Sequence, residues 1–224
     1  MGKLTNMNSE QIIAYTGLRE DVICLIQGTP NSVLDVGCSN GKLLSYMKKL
    51  GSSYLVGIEQ DRTLAAEALK SADKIINLNL DEFNIHALDG KFFDLIILAD
   101  ILEHTKNPSL VLGELLKSAS LDAQIIISLP NIQHWTAIKN LIIGRWPQRN
   151  RGLFDRTHLR FFVFNSIKNL LKEVDLEVEE IKYNYRVVDR PDAKINRFSR
   201  YLAVGWLKPY LTYQYVIRSR RIKY

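Results

Sequence analysis

The run Val33-Leu34-Asp35-Val36-Gly37-Cys38-Ser39-Asn40-Gly41 constrains this chain more than any other stretch. A continuous apolar strand, of the kind that is covered on both faces, leads into a turn of small residues and directly into a helical pattern. Glycines let a backbone approach a ligand closely. The helix that follows offers unbonded N–H groups and the positive end of its dipole. A nucleotide-type ligand cradled beyond the end of a parallel strand is the expectation.

The rest of the chain agrees with that start. Short apolar runs at 32–37, 54–59, 74–79, 93–99 and 123–129 alternate with helical patterns, the signature of βα units on a parallel sheet. Helices are expected at 41–50 closing on Gly51, at 61–70, and at 108–119 opened by Asn107-Pro108. An amphipathic helix at 9–27 precedes the first strand. Beyond the fifth strand, a helix at 132–143, an irregular basic stretch at 144–162 and a helix at 165–174 are expected. Segments 176–187 and 213–221 read as strands that pair antiparallel at one sheet edge, with 190–210 as an excursion between them. The expected organisation is one α/β domain over 1–224. It comprises an N-terminal helical segment (1–30), a cofactor-binding core (31–131), and substrate-side lid segments at 132–162 and 190–212.

Composition bounds the class. The chain has 224 residues, 46% apolar and 24% charged, enough for one full-sized core. Two cysteines, Cys24 and Cys38, make no disulfide framework, and no Cys/His cluster along the chain offers a zinc site, so no metal is expected. The polar start lacks the apolar core of a signal peptide, and no apolar run approaches bilayer-spanning length. A reducing, cytoplasmic setting follows as the expectation. Charge is divided unevenly. Residues 1–138 hold 11 Lys+Arg against 16 Asp+Glu, whereas residues 139–224 hold 19 against 8. The first part is therefore acidic (−5) and the second basic (+11), which suits either an anionic partner or a solvated face.

Glu59 ends the second strand, 18 residues past Gly41, where a carboxylate can accept hydrogen bonds from both ribose hydroxyls of an adenosine-type ligand. A dinucleotide fingerprint counted from Gly37 needs glycine at 39 and 42, and Ser39 and Lys42 stand there. With Asp35, Gly37 and Gly41 in place and Ser39 for the middle glycine, the segment instead resembles the loop of class I S-adenosylmethionine-dependent methyltransferases. That resemblance implies a Rossmann-like, seven-stranded, mostly parallel sheet with one antiparallel strand and helices on both faces. It implies S-adenosylmethionine as cofactor, with Gly37, Cys38, Ser39 and Gly41 at its methionine part and Glu59 and Gln60 at its ribose. Asn79, Leu80 and Asp81 would flank the adenine, and Asp100 and Ile101 would line the other side.

Three further pieces are Asp100-Ile101-Leu102-Glu103-His104, Leu129-Pro130-Asn131 with His134-Trp135, and the tract Gly144-Arg145-Trp146 through Gly152-Leu153-Phe154-Asp155-Arg156-Thr157-His158-Leu159-Arg160-Phe161-Phe162. Together they resemble bacterial methyltransferases similar to methionine-biosynthesis protein W and the methyltransferase domains of surface-polysaccharide pathways. Methyl transfer needs alignment of a nucleophile and exclusion of water, and a hydroxyl acceptor also needs to lose a proton near neutral pH. His104, His158 and His134 are the candidates for that step; His86 belongs to a surface loop.

Asn131, Arg151, Asp155, Arg156 and Arg160 are the candidate acceptor contacts. Arginine suits bidentate grip of phosphate, and Arg–Asp pairing within the loop is the other use of the same residues. The basic, amphipathic segment 194–202 covers the cleft or meets a membrane surface or partner. The expected activity is O-methylation of a small or sugar-like, anionic acceptor. RNA methylation and a non-catalytic cofactor-binding role stand as alternatives, and the absence of an appended RNA-binding module makes nucleic acid the weaker partner.

Overall fold

The computed structural model describes residues 16–189 and 193–222. Seven strands form one sheet: β1 (Ser32–Val36), β2 (Tyr54–Ile58), β3 (Lys74–Ile76), β4 (Phe93–Ala99), β5 (Ala119–Pro130), β6 (Leu176–Tyr185) and β7 (Thr212–Arg221). Their spatial order is β3-β2-β1-β4-β5-β7-β6, and β7 alone runs antiparallel to its neighbours. This is the expected Rossmann-like sheet, and the pairing of the last two strands at its edge is also as expected.

Register explains why the strands carry unbroken apolar runs. Along β1, Val33 faces one layer with Leu55, Leu95, Ile97 and Ile126. Its neighbours Leu34 and Val36 face the other layer with Val56, Ile58, Ile96 and Ile127. Helix α2 (Lys42–Leu50) covers the first layer through Leu43, Leu44 and Met47, joined by Val22 and Leu25 near the start of the described chain. Helices α4 (Pro108–Leu116) and α6 (Phe164–Glu173) cover the second through Leu112, Leu115, Ile167 and Leu171. Truncating one of these fully buried leucines to alanine costs about 2–5 kcal/mol.

Several boundaries differ from the sequence expectation, each for a local reason. Helix α4 stops at Leu116 because the Ser118 N–H and hydroxyl both donate to the Leu115 carbonyl. The chain then joins the sheet at Ala119 opposite Phe93, ahead of a register break. Strand β3 ends at Ile76, and Asn79 instead caps a tight turn by accepting from the Asp81 N–H. Of the expected helix at 9–27, residues 9–15 lie outside the described residues; within the rest, Thr16 and α1 (Glu20–Ile23) are helical, with a break at 17–19. Helix α3 (Arg62–Ala68) is capped by Asp61, whose carboxylate accepts from the Thr63 and Leu64 N–H groups. Helix α5 (Trp135–Ile142) lies where the sequence suggested a helix at 132–143. Residues 193–211 form short helical turns, among them α7 (Ser199–Leu202) and α8 (Lys208–Leu211).

Candidate active site

The carboxyl ends of β1, β2, β4 and β5 meet at one side of the sheet, and the site is built there. After β1 the backbone alternates into left-handed geometry three times, at Gly37 (φ 76°), Ser39 (φ 51°) and Gly41 (φ 77°). Ser39 therefore holds the conformation that glycine holds more cheaply, a strain tolerated at one position. At Gly41 a side chain is barred twice over: its Cβ would lie 2.8 Å from the Ala68 Cα. Among the described residues no side chain caps α2, and its first N–H groups face the loop without a side-chain partner.

Glu59 binds this loop as well as facing it. One carboxylate oxygen accepts from the Ser39 N–H at 2.9 Å and the other from the Asp61 N–H at 2.8 Å. Asp35 is 3% exposed, and burial, then the nearby Glu59 carboxylate, pushes its carboxyl up to about 7. Burial also pushes the Cys38 thiol up, so it packs as an apolar group. Gln60 is exposed beside Glu59.

Asp100, at φ 55°, is the corner residue after β4. It accepts from Arg19 Nη1 (2.8 Å), Ser128 Oγ (2.7 Å) and Gln214 Nε2 (2.5 Å). Arg19, Ser128 and Gln214 were not candidates from sequence; they lie 81, 28 and 114 residues away, with no local pattern to mark them. Ile101 packs against Gly37, where a Cβ would come within 2.8 Å of its Cδ1. Asp81 accepts from the Lys106 N–H, tying the turn Asn79-Leu80-Asp81 to the segment after Glu103.

Beyond the corner at Asp100, Glu103, His104 and His158 come together although 54 residues separate the last two. The His104 and His158 rings meet edge to face at 4.8 Å between centroids, and His158 Nε2 lies 4.0 Å from Glu103 Oε1. Glu103 is 1% exposed and its Oε2 is buried with no hydrogen-bond partner. Burial first, and then Asp100, drives its carboxyl well above the usual carboxylate range. Burial, then the neighbouring His104, depresses His158 to about 4. His104 Nδ1 is held by the Thr157 carbonyl (3.1 Å) and hydroxyl (3.0 Å), and that hydroxyl donates to Asp155 at 2.7 Å. Glu103 was not a sequence candidate; its place in an Asp-x-x-Glu-His run beside a named histidine was the available signal.

His134 and Asn131 are placed differently. His134 is fully buried; its Nδ1 pairs with the Thr136 hydroxyl and its Nε2 with the Arg186 carbonyl, both at 2.8 Å. It caps α5, and burial lowers its affinity for a proton. Asn131, also fully buried, donates to the Pro209 and Thr212 carbonyls and accepts from the Gln133 N–H, holding the end of β5 to the 208–212 turn. The arginines disperse. Arg160 donates to the Lys106 carbonyl and Arg149 pairs with Asp189, while Arg156 is exposed and Arg151 half-buried. A cleft of about 350 Å³ beside α5 is lined by Lys139, Arg145, Arg149 and Asp189.

The residues present fit S-adenosylmethionine: an uncapped helix start after a three-fold left-handed loop, the buried and unpartnered Ser39 hydroxyl, and Glu59 at the adjoining strand end. Fold and loop define a class I S-adenosylmethionine-dependent methyltransferase. Within that class, the chain belongs to the family described as methionine biosynthesis protein MetW, whose model matches residues 19–202.

Two curated relatives are ubiquinone biosynthesis O-methyltransferases. The one from Bartonella quintana is 26% identical, covering 75% of this chain and 70% of its own; the mitochondrial one from Schizosaccharomyces pombe is 23% identical, covering 79% and 65%. A mitochondrial relative from Dictyostelium discoideum aligns at 27% identity over 113 residues, so the chain spans only 35% of that protein. The fold matches the S-adenosylmethionine-dependent methyltransferase from Mesorhizobium loti, with TM-score 0.63, 14% identity, and 92% and 100% of the two chains covered. It also matches the magnesium protoporphyrin IX methyltransferase of Synechocystis, with TM-score 0.63, 14% identity, and 96% and 89% covered.

Proposed function

We propose that this protein transfers the methyl group of S-adenosylmethionine to an oxygen of a small acceptor. The observation that carries this is the junction of two sites across one corner. Ile101 packs on Gly37 of the cofactor loop, its carbonyl accepts from the His104 N–H, and Glu103 and His104 in turn meet His158. When bound, the cofactor supplies a methyl on a sulfonium, already attached to its leaving group. The chain's contribution is then to hold the cofactor through Gly37–Gly41 and Glu59, exclude water, and place an acceptor oxygen by the His104–His158 pair. His104, fixed by Thr157 and Asp155, is the better-oriented imidazole for receiving a hydroxyl proton. The two ring nitrogens of His134 are engaged, which suits a lid cap rather than proton transfer.

The O-methyltransferase relatives support oxygen over nitrogen as the acceptor atom. The exposed Arg156 and half-buried Arg151, with the basic cleft by α5, support an anionic acceptor. Among the described residues no helix is long and apolar enough to cross a membrane, and both cysteines are free thiols, which supports a cytoplasmic setting.

The test is calorimetric titration with S-adenosylmethionine followed by methyl-release assays on hydroxyl-bearing panels, including phenols, sugar nucleotides and RNA. Glu59→Ala is expected to weaken cofactor binding at least tenfold, and His104→Ala to lower turnover with cofactor binding retained. Absence of cofactor binding at millimolar concentration overturns the proposal, and turnover confined to RNA replaces its acceptor.

A further inference from the structure

We propose that Glu103, His104 and His158 form a binding site for one divalent metal ion. Each offers one ligand atom, and the three atoms lie within 4.8 Å of one another. Two imidazoles and a carboxylate are a donor set suited to zinc, manganese, cobalt or iron(II). Ligand atoms about 2.1 Å from a tetrahedral ion stand roughly 3.4 Å apart, so the pair at 4.0 Å closes by a small side-chain rotation.

Three observations set this cluster apart from an incidental meeting of polar groups. First, Glu103 Oε2 is buried without a hydrogen-bond partner among the described residues, a costly arrangement that a cation on the carboxylate relieves. Second, among the described residues no lysine or arginine forms an ion pair with the Glu103 carboxylate, and the side chain facing it is the His158 imidazole. Third, the support expected around a metal-bound histidine is already built. His104 Nδ1–H donates to the Thr157 carbonyl, which fixes the tautomer and puts the lone pair on Nε2; the Thr157 hydroxyl is in turn held by Asp155.

His104 and His158 are both half-buried, which leaves the ion a route to an exogenous oxygen ligand. With an ion in place the imidazole lone pairs serve in coordination. A hydroxyl bound beside them then loses its proton to solvent under the cation's charge. That use rests on the proposed methyl transfer; the binding of the ion does not.

The experiment is therefore on binding alone. Untagged full-length protein, stripped by chelator, is titrated with Zn²⁺, Mn²⁺ and Co²⁺ by calorimetry without cofactor or acceptor. One equivalent per chain is expected, with affinity falling at least tenfold in Glu103→Gln/His158→Asn and about 10- to 100-fold in Thr157→Val. In case the double variant does not fold, ¹⁵N-histidine spectra of the wild-type protein give an independent readout. Mn²⁺ should broaden the His104 and His158 ring signals and spare His86, which is assigned by His86→Asn. Failure to take up any of the three ions stoichiometrically, an unchanged affinity in the folded double variant, or broadening confined to His86 overturns the site. Inactivity in methyl-release assays with stoichiometric metal binding would overturn the proposed reaction and leave the metal site standing.

Discussion

Arg19 Nη1 donates to Asp100 Oδ2 at 2.8 Å across 81 residues of sequence, while its Nε and Nη2 hold Asp21 and Nη2 also reaches the Ser128 hydroxyl. One guanidinium thus fastens the segment ahead of β1 to the corner after β4 and the end of β5. The two carboxylates keep Arg19 charged despite burial, and Arg19 holds Asp21 below the usual carboxylate range. Arg19→Met should lower stability by about 2 kcal/mol, as loss of charge-assisted hydrogen bonds does, and should weaken cofactor binding by freeing Asp100. Urea unfolding and calorimetry check the two effects separately; an unchanged cofactor affinity would show that Asp100 needs no tether.

Asp35 makes stability depend on pH. Its carboxyl sits near 7 in the folded protein against about 3.9 in an unfolded chain. The folded state therefore binds the proton more tightly, and stability falls as pH rises from about 4 to 7, by at most about 1.4 kcal/mol per unit. Below that window the contribution is fully present, and above it the loss is complete. Asp35→Asn should flatten the profile and raise stability at pH 8, read from denaturant midpoints at pH 5 and pH 8.

Two glycines in the same backbone region separate strain from collision. Gly41→Ala places a Cβ 2.8 Å from backbone at Ala68, whereas Gly90, at φ 68°, has nothing within 4 Å of its Cβ position. Gly90→Ala should cost about 1 kcal/mol, the left-handed penalty alone, and Gly41→Ala clearly more, with loss of cofactor binding. Equal midpoints for the two variants would be inconsistent with the packing of Ala68 against the loop.

The basic tract invites a charge reversal. Arg151→Glu with Arg156→Glu should raise KM for an anionic acceptor at least tenfold and leave KM for S-adenosylmethionine within twofold. An unchanged acceptor KM would reduce these two arginines to a solvated edge of the loop.

Strand positions were legible because a strand covered on both faces favours apolar residues throughout, and β1, β2, β4 and the core of β5 are mostly apolar, with Asp35 and Asp94 as the charged exceptions. The loop was legible for a related reason: Gly37 and Gly41 mark backbone that other residues resist. Ser39 hid its left-handed geometry, since serine carries no such mark. The partners of Asp100, and the meeting of Glu103 with His158, depend on which loops the sheet order brings together. No spacing along the chain encodes that. Asn131 looked like an acceptor contact and His134 like a catalytic histidine because of where they fall after β5, and their hydrogen bonds turn inward to hold the 208–212 turn and the start of α5. Residue type and position predicted proximity to the cleft, and only geometry shows which way a side chain is spent.

The antiparallel β7 lies between β5 and β6, and its first residues carry the carbonyls that Asn131 grips. It is also synthesised after every strand that it joins. With only residues 1–200 made, β6 has no neighbour and β5 shows an open edge. The grip of Asn131 on the Pro209 and Thr212 carbonyls, which ties the end of β5 to the turn ahead of β7, therefore closes only after residues 208–212 have followed.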